Sequence, residues 1–295
     1  MTDPIIVSYS ELDTFRQCPL KHYFAYVQRY TKTMLPGSPA LSRGSLWHLA
    51  METHYNIIRG DRTLAGLRTA IAAVSGLLQD IKTGRRTDEQ ALVWWMYEGH
   101  VEQYGLDLDW IIEGIEVPFI VELVPATPGN PPIFLKGKID LLVRDKDGRL
   151  WVVDHKSGAE LPSTKVLDID DQFGLYLVAA EMFLGEKPYG AIHSAARTRR
   201  LKGDEDGSNP TPLVKRFSRT TMSRTPIELV NLWEDARRTA VAAYRDRSGP
   251  PYSSPNPDQC RWKCDFLDVH MLMRKGVKPE TAMHSFGFEQ RFERH

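Results

Sequence analysis

Cysteine is scarce in this chain. Three residues in 295 are too few, and odd in number, to build a disulfide framework. A reducing cytoplasm is therefore the expected compartment, and each thiol has to be read as core, reactive group or ligand. An excess of either charge is also missing: lysine and arginine total 38, as do aspartate and glutamate. No global basic field advertises a polyanionic partner, so any basic surface must be local. The sequence lacks an apolar run long enough to span a bilayer. Its N-terminus lacks the basic-then-apolar pattern of a secretory signal. What is present is a globular composition, 42% hydrophobic and 26% charged. The length suits one elaborate domain or two small ones, and we expect a single domain over residues 1–295.

The most informative stretch is residues 137–156, two strands joined by the turn Asp145-Lys146-Asp147-Gly148. Alternation puts Leu135, Gly137, Ile139, Leu141 and Val143 on one face, and Asp140 on the other beside Lys136, Lys138 and Leu142. In the second strand Leu150, Val152, Asp154 and Lys156 share a face. Folding the hairpin about its middle sets Asp140 opposite position 154, to within about one residue, with Cβ atoms about 4.5–5.5 Å apart. Two carboxylates that close in an apolar hairpin repel each other. A divalent cation relieves the repulsion and leaves Lys156 nearby on the same face.

Elsewhere, residues 8–30 open as a helix capped by Ser8, with Glu11 closing a capping box and Leu12 and Phe15 facing a core. Cys18-Pro19 interrupts it. A loop containing Pro36-Gly37-Ser38-Pro39 leads to a helix from about Gly44, where His48 and Glu52 lie one turn apart. Residues of about 50–112 read as a helical insert, with Leu64, Leu67 and Ile71 at helical spacing, a basic turn over 82–86, and Trp94-Trp95. From Ile111 the pattern is that of a strand, with Glu116 as a surface or edge charge. A helix over 170–183 carries Gln172 and Tyr176 on one face, pointing into a cleft. A strand over 189–197 leads into the densest basic cluster, Arg197, Arg199, Arg200 and Lys202. Residues 201–212 read as a loop, and 222–247 as a helix with Ile227, Val230, Trp233 and Ala236 on one face. Cys260, Cys264 and His270, with Cys18 as a fourth member, have the makings of a metal clip in a loop, suited to zinc or an iron–sulfur cluster. Unconnected thiols and a surface histidine are the alternative.

Taken in order, these motifs resemble the PD-(D/E)xK nucleases of the RecB/Cas4-like exonuclease group, including phage-encoded members. Ser8, Ser10, Leu12, Phe15, Cys18 and Pro19 match S-x-S-x-L-x-x-F-x-x-C-P. Gly44 to His48 matches G-x-x-x-H, Gly137 to Asp140 G-x-x-D, Asp154 to Lys156 D-x-K, and Gln172 to Tyr176 Q-x-x-x-Y. The resemblance implies an α/β, restriction-endonuclease-like core over about 113–200, a central mixed sheet flanked by helices. An N-terminal helical region and a C-terminal helix with a Cys/His clip over about 222–270 would accompany it. It implies that Asp140 and Asp154 bind Mg²⁺ or Mn²⁺, with the backbone carbonyl of His155 and the imidazole of His48 as further ligands and Glu116 as a further acid. Lys156 would orient water or offset phosphate charge, Gln172 and Tyr176 would line the channel, and Arg197 and Arg199 would touch DNA phosphates. Cys18, Cys260 and Cys264 match three positions of a 4Fe–4S cluster; His270 stands at the fourth, where the family has cysteine, so zinc or no metal competes there. The implied activity is a DNA exonuclease of phage or bacterial recombination or repair, working in the cytoplasm (the host's, if phage-encoded) with no membrane. A single-strand annealing protein or recombinase would be its partner. A structure-specific endonuclease or Cas4-type spacer-end processor, and a non-catalytic nucleic-acid-binding protein on the same scaffold, are the competing readings.

Overall fold

The computed structural model describes residues 3–32, 43–80, 83–245, 247, 249 and 251–291. The expected loop at Pro36-Gly37-Ser38-Pro39, and Lys82 of the basic turn, lie outside them. In chain order the elements are β1 (Ile5–Ser8), α1 (Tyr9–Gln17), α2 (Pro19–His22), a π-helical turn (Tyr23–Val27), β2 (Tyr30–Lys32), α3 (Arg43–Gly60), α4 (Leu64–Leu77) and α5 (Asp88–Tyr104). There follow β3 (Ile111–Val124), β4 (Ile133–Arg144), β5 (Leu150–Gly158), α6 (Thr164–Asp168), α7 (Asp171–Leu184), β6 (Gly190–Arg197), α8 (Lys202–Asp206), α9 (Leu213–Arg216) and β7 (Phe217–Met222). The chain ends with α10 (Pro226–Arg245), α11 (Pro257–Lys263), α12 (Leu267–Met273), α13 (Pro279–Ser285) and β8 (Phe288–Gln290). These elements form two compact units, each drawn from separated segments.

The larger unit comprises Pro39–Val121 and Gly137–Leu232. Its sheet is mixed: β4 pairs antiparallel with β5, β5 parallel with β6, and β6 antiparallel with β7, while β3 also pairs with β4. The β4–β5 turn is held by the Asp145 carboxylate, which accepts the N–H groups of Asp147 and Arg149, both at 2.9 Å. Gly148 takes the left-handed conformation there (φ 76°) that favours glycine. Trp47, Tyr55, Met96 and Tyr97 of the helices form one core with Leu141, Val153 and Ile192 of the strands.

The helical faces differ from expectation in one respect. On α4 the buried positions are Gly66, Ala70 and Val74, whereas Leu64 is 67% exposed. On α10, Ile227 and Val230 are exposed, and Leu229, Ala236, Ala240 and Ala243 are buried. Close approach to a neighbouring element selects small side chains at most of these positions, Leu229 excepted, so the largest aliphatics alone do not mark the inner face. The stretch expected to be a loop at 201–212 contains α8 and is pinned by Asp204, whose carboxylate accepts the N–H groups of Leu201 at 2.9 Å and Thr211 at 2.5 Å.

The smaller unit comprises Met1–Ser38, Glu122–Lys136 and Trp233–His295. β1, which alternation over four residues does not reveal, pairs parallel with the start of β4, from Ile5↔Ile133 to Ser8↔Lys136. Ser8 caps α1 as expected, its Oγ accepting from the Glu11 N–H at 3.2 Å. The Glu11 carboxylate does not close a capping box. It is buried, with Oε1 3.0 Å from His22 Nε2 and 3.0 Å from an Arg247 Nη2 donor. Pro19 restarts the chain as α2. Phe24, Phe266, Val269, Met283 and Phe288 form a second core beneath the β2–β8 pair. The segment expected to be a loop around Cys260 and His270 is α11 and α12: the Asn256 side chain accepts from the Asp258 and Gln259 N–H groups to start α11, and Phe266 and Val269 give α12 an inner face.

Candidate active site

The hairpin register matches expectation. Leu141 pairs with Val153, which aligns Asp140 with Asp154 at the next step, and the ladder stops there. Asp140 itself fills the gap: its Oδ2 accepts the His155 N–H at 2.7 Å, so a side-chain carboxylate replaces a ladder bond. On β5, Lys156 Nζ donates to Asp154 Oδ1 at 2.9 Å. From α3, His48 Nδ1 comes within 3.4 Å of Asp140 Oδ2.

Glu116 is not the edge charge that alternation suggests. Along β3 the buried positions are Ile112 and Gly114, then Phe119, Val121 and Leu123, so the period shifts by one residue in between. Glu116 takes up the shift with φ 51°, strained for a residue other than glycine. Such a bulge re-aims a side chain. Here Glu116 pairs with Lys138 and meets His48 and Asp140, the three ligand atoms all lying within 4.8 Å of one another. An octahedral Mg²⁺ shell, with bonds of about 2.1 Å, has opposite ligands about 4.2 Å apart. Two carboxylates and one imidazole on that scale suit a hard divalent cation, the imidazole favouring Mn²⁺. Asp154 stands outside this triad, but its Oδ2 is buried and has no hydrogen-bond partner, a free acceptor for a cation or a water.

The electrostatics are those of crowded acids. Burial pushes the Asp154 carboxyl up to about 6, helped by the charge of Asp140 and opposed by Lys156. Burial likewise raises Glu116, with Asp140 adding to the effect against Lys138 and His48. Burial disfavours ionised Asp140, yet the hydrogen bond and charge of His48 outweigh it and hold Asp140 below the ordinary carboxylate range. His48 moves up in return: burial opposes its imidazolium, and Asp140 and Asp154 overcome that. Lys156 is raised in the same way, burial being outweighed by Asp154.

α7 brings Gln172 and Tyr176 together, as their spacing implies. Asp170 caps the helix by accepting the Gln172 N–H at 2.9 Å, and Tyr176 follows one turn on. The Tyr176 ring meets Phe119 edge-on, with centroids 5.3 Å apart. Phe119 lies across Gly137, where an added Cβ would sit 2.3 Å from its Cζ. Arg197 and Arg199 are both spent on Glu160, at 3.2 and 2.9 Å. Two neighbours were not singled out from the sequence. Lys138 lay on the predicted Asp140 face. His193 of β6 is in register with Asp154, is buried, and has an unpartnered Nδ1; only the strand pairing reveals it.

In the smaller unit, Cys18, Cys260, Cys264 and His270 line one cavity with Lys21, Phe24 and Phe266. All three cysteines are free, and burial raises the Cys264 thiol. No three of these ligand atoms fall within 4.8 Å of one another. Tetrahedral zinc, with Zn–S bonds of about 2.3 Å, needs its sulfurs about 3.8 Å apart. The four donors therefore do not stand at the spacing of a closed tetrahedral zinc site.

Comparison with known proteins is consistent with this geometry. No curated protein matched the sequence. Among solved structures, a candidate exonuclease from Eubacterium rectale is similar with a TM-score of 0.52 and 13% identity, covering 88% of this chain and 86% of that one; at that identity the likeness concerns the fold. The structure of SSO0001 aligns over 90% of this chain and 85% of that one at 11% identity, but its TM-score of 0.38 carries no weight. The family description of the PD-(D/E)XK nuclease superfamily matches residues 6–269. With the mixed sheet flanked by helices and the acids and lysine at the open end of its hairpin, the chain belongs to the PD-(D/E)XK nuclease superfamily.

Proposed function

We propose that the protein is a divalent-metal-dependent deoxyribonuclease acting as an exonuclease at DNA ends or in single strands, in phage or bacterial recombination or repair in the cytoplasm. The observation that carries this reading is the convergence of His48, Glu116 and Asp140 beside Asp154 and Lys156. Asp140, Glu116 and His48 would hold Mg²⁺ or Mn²⁺, with Asp154 Oδ2 and the His155 carbonyl as further candidate ligands, and the chemistry such an ion would supply is Lewis-acid polarisation of the scissile phosphate and a more acidic water. Lys156, anchored on Asp154 Oδ1, offsets the charge that grows on the phosphate oxygens. Gln172 and Tyr176, braced by Phe119, position the strand.

Asp154→Ala and Lys156→Ala should each abolish metal-dependent cleavage of end-labelled DNA while leaving the melting temperature within a few degrees. Full Mn²⁺-dependent activity in either variant overturns the site assignment. Covalently closed circular DNA discriminates the mode: resistance supports an exonuclease, nicking an endonuclease.

At the cavity of the smaller unit we propose a structural 4Fe–4S cluster held by Cys18, Cys260, Cys264 and His270, imidazole replacing one thiolate as it does in other iron–sulfur sites. It would fasten the α1–α2 junction to α11 and α12, closing a loop of about 240 residues. Anaerobically purified protein should be brown and contain iron and sulfide. A colourless protein with stoichiometric zinc overturns the cluster.

A further inference from the structure

Two adjacent indoles, Trp94 and Trp95, lie half-buried in the middle of α5, and three arginines converge on them. The Arg86 Cζ lies 4.5 Å from the Trp94 ring centroid, and those of Arg200 and Arg216 lie 4.9 and 3.8 Å from that of Trp95. Each guanidinium is fixed by a neutral acceptor: the Ser75 hydroxyl at 2.8 Å, the Ala91 carbonyl at 3.3 Å and the Trp95 carbonyl at 2.9 Å. Gly99 permits the closest of these approaches, since a Cβ there would lie 2.5 Å from Arg216 Nη2.

The cluster is not neutralised. Among the described residues none of the three makes an ion pair with a carboxylate, whereas Arg43, Arg144, Arg149 and Arg219 all do. The Nε of Arg86, Arg200 and Arg216 is in each case buried without a partner. Asp204, Glu98 and Glu102 act on Arg216 from a distance while Arg200 acts against it. Asp204 is already committed to Leu201 and Thr211. Arg200 and Arg216 share the Trp95 ring as like charges, and a bound anion would relieve their repulsion. The location suits a substrate. β5 and β6 run parallel, Lys156 beside Ala195 and Gly158 beside Arg197, so the strand end bearing Lys156 leads within a few residues to Arg200.

We propose that Arg86, Arg200 and Arg216 on Trp94 and Trp95 form a phosphate track that holds the backbone of a nucleic-acid strand beyond the cleaved bond. This rests on the nuclease reading and extends it to residues outside the hydrolytic site. Guanidinium forks match phosphate geometry, and stacking pre-orients them. Because the arginines cover the indoles, the track offers no open platform for base stacking, so binding is to the backbone and is indifferent to sequence. Arg86 and Arg200, the more accessible pair, grip the phosphates; Arg216, largely buried, sets the charge and braces Trp95.

The test is fluorescence anisotropy with a labelled oligonucleotide in EDTA, over a range of salt concentrations, for the wild-type protein, Arg86→Gln/Arg200→Gln and the control Arg149→Gln. Arg149 also lies over a ring, that of Tyr189, but is paired with Asp147. The double variant should bind roughly tenfold more weakly, with a salt slope shallower by about 1.4, or about 0.7 for each single-strand phosphate that the protein no longer neutralises. Arg149→Gln should change neither. An unchanged slope in a folded double variant overturns the track and leaves the nuclease reading standing, provided the wild type cleaves DNA with Mn²⁺. A wild type that neither binds nor cleaves overturns both. If the double variant does not fold, Arg86→Gln alone carries the test, at half the change in slope.

Discussion

Gly137 shows how one missing side chain organises the site. Phe119 occupies the space a Cβ would take, and Phe119 in turn sets the ring of Tyr176. Gly137→Ala must displace a buried aromatic, an overpacking expected to cost about 1–3 kcal/mol. Tyr176 should be moved with it. The expected outcome is a lowered urea midpoint and a fall in cleavage rate larger than the fall in Mn²⁺ affinity, because Asp140 keeps its bond from the His155 N–H. Equal losses of metal binding and rate would show that Gly137 serves the acid and not the tyrosine. At this scale the sequence was informative wherever a motif named the residue: Gly137, Asp140, Asp154 and Lys156 stand where alternation and the turn put them. Alternation read Glu116 as a surface or edge charge and only the resemblance offered it as a further acid; what turns it toward His48 and Asp140 is a left-handed residue inside a well-alternating strand. Arg197 and Arg199, selected for local basic density, proved to be partners of Glu160.

The loop between α5 and β3 acts as a buttress for the hairpin within the larger unit. Asp107, at φ 48°, receives both terminal nitrogens of Arg219 at 2.5 and 2.8 Å and the Tyr55 hydroxyl at 2.8 Å. Arg219 lies 3.6 Å from the Tyr104 ring centroid and 3.9 Å from that of Trp110, and Arg62 donates to the carbonyls of Asp107 and Trp110 at 2.6 and 2.9 Å. The Tyr55 ring stacks on His155 at 5.4 Å and 17°, and the His155 N–H holds Asp140. Asparagine tolerates the left-handed conformation, so Asp107→Asn removes charge with little backbone strain. It leaves the half-buried Arg219 without its counter-charge, which should cost about 2 kcal/mol or more in chemical denaturation. A loss under about 1 kcal/mol would mean that the aromatic sandwich alone keeps Arg219 in place. Nothing in the sequence pairs residues 107 and 219, because charge complementarity carries no address without the fold.

Across the molecule, acid stability should be governed by histidines buried in neutral form. Burial lowers His54 to about 4 and His100 well below its ordinary value; their rings pack 5.6 Å apart, and His54 Nδ1 lies 3.0 Å from the Tyr97 hydroxyl. Above pH of about 6.5 both folded and unfolded chains leave these rings neutral. Between about 6.5 and about 4 the unfolded chain takes up the proton and the folded chain does not, so stability falls as pH falls. The slope at His54 is at most about 1.4 kcal/mol per pH unit. Denaturation midpoints at pH 7.5 and 5.5 should therefore differ, and His54→Gln should flatten the difference; an unchanged pH dependence would mean that other groups control it. The sequence by itself determined the hairpin and its register, the order of the motifs and the presence of a sheet core. A turn with one good geometry and a strict period of two leave a single pairing that buries the apolar face. The resemblance offered His48 and Glu116 as partners of Asp140, but no local pattern did, and tertiary structure brought the three together; it alone decided which residues form the inner faces of α4 and α10, and which arginines are already paired. Those outcomes depend on how closely elements far apart in sequence approach one another, and no local period records that distance.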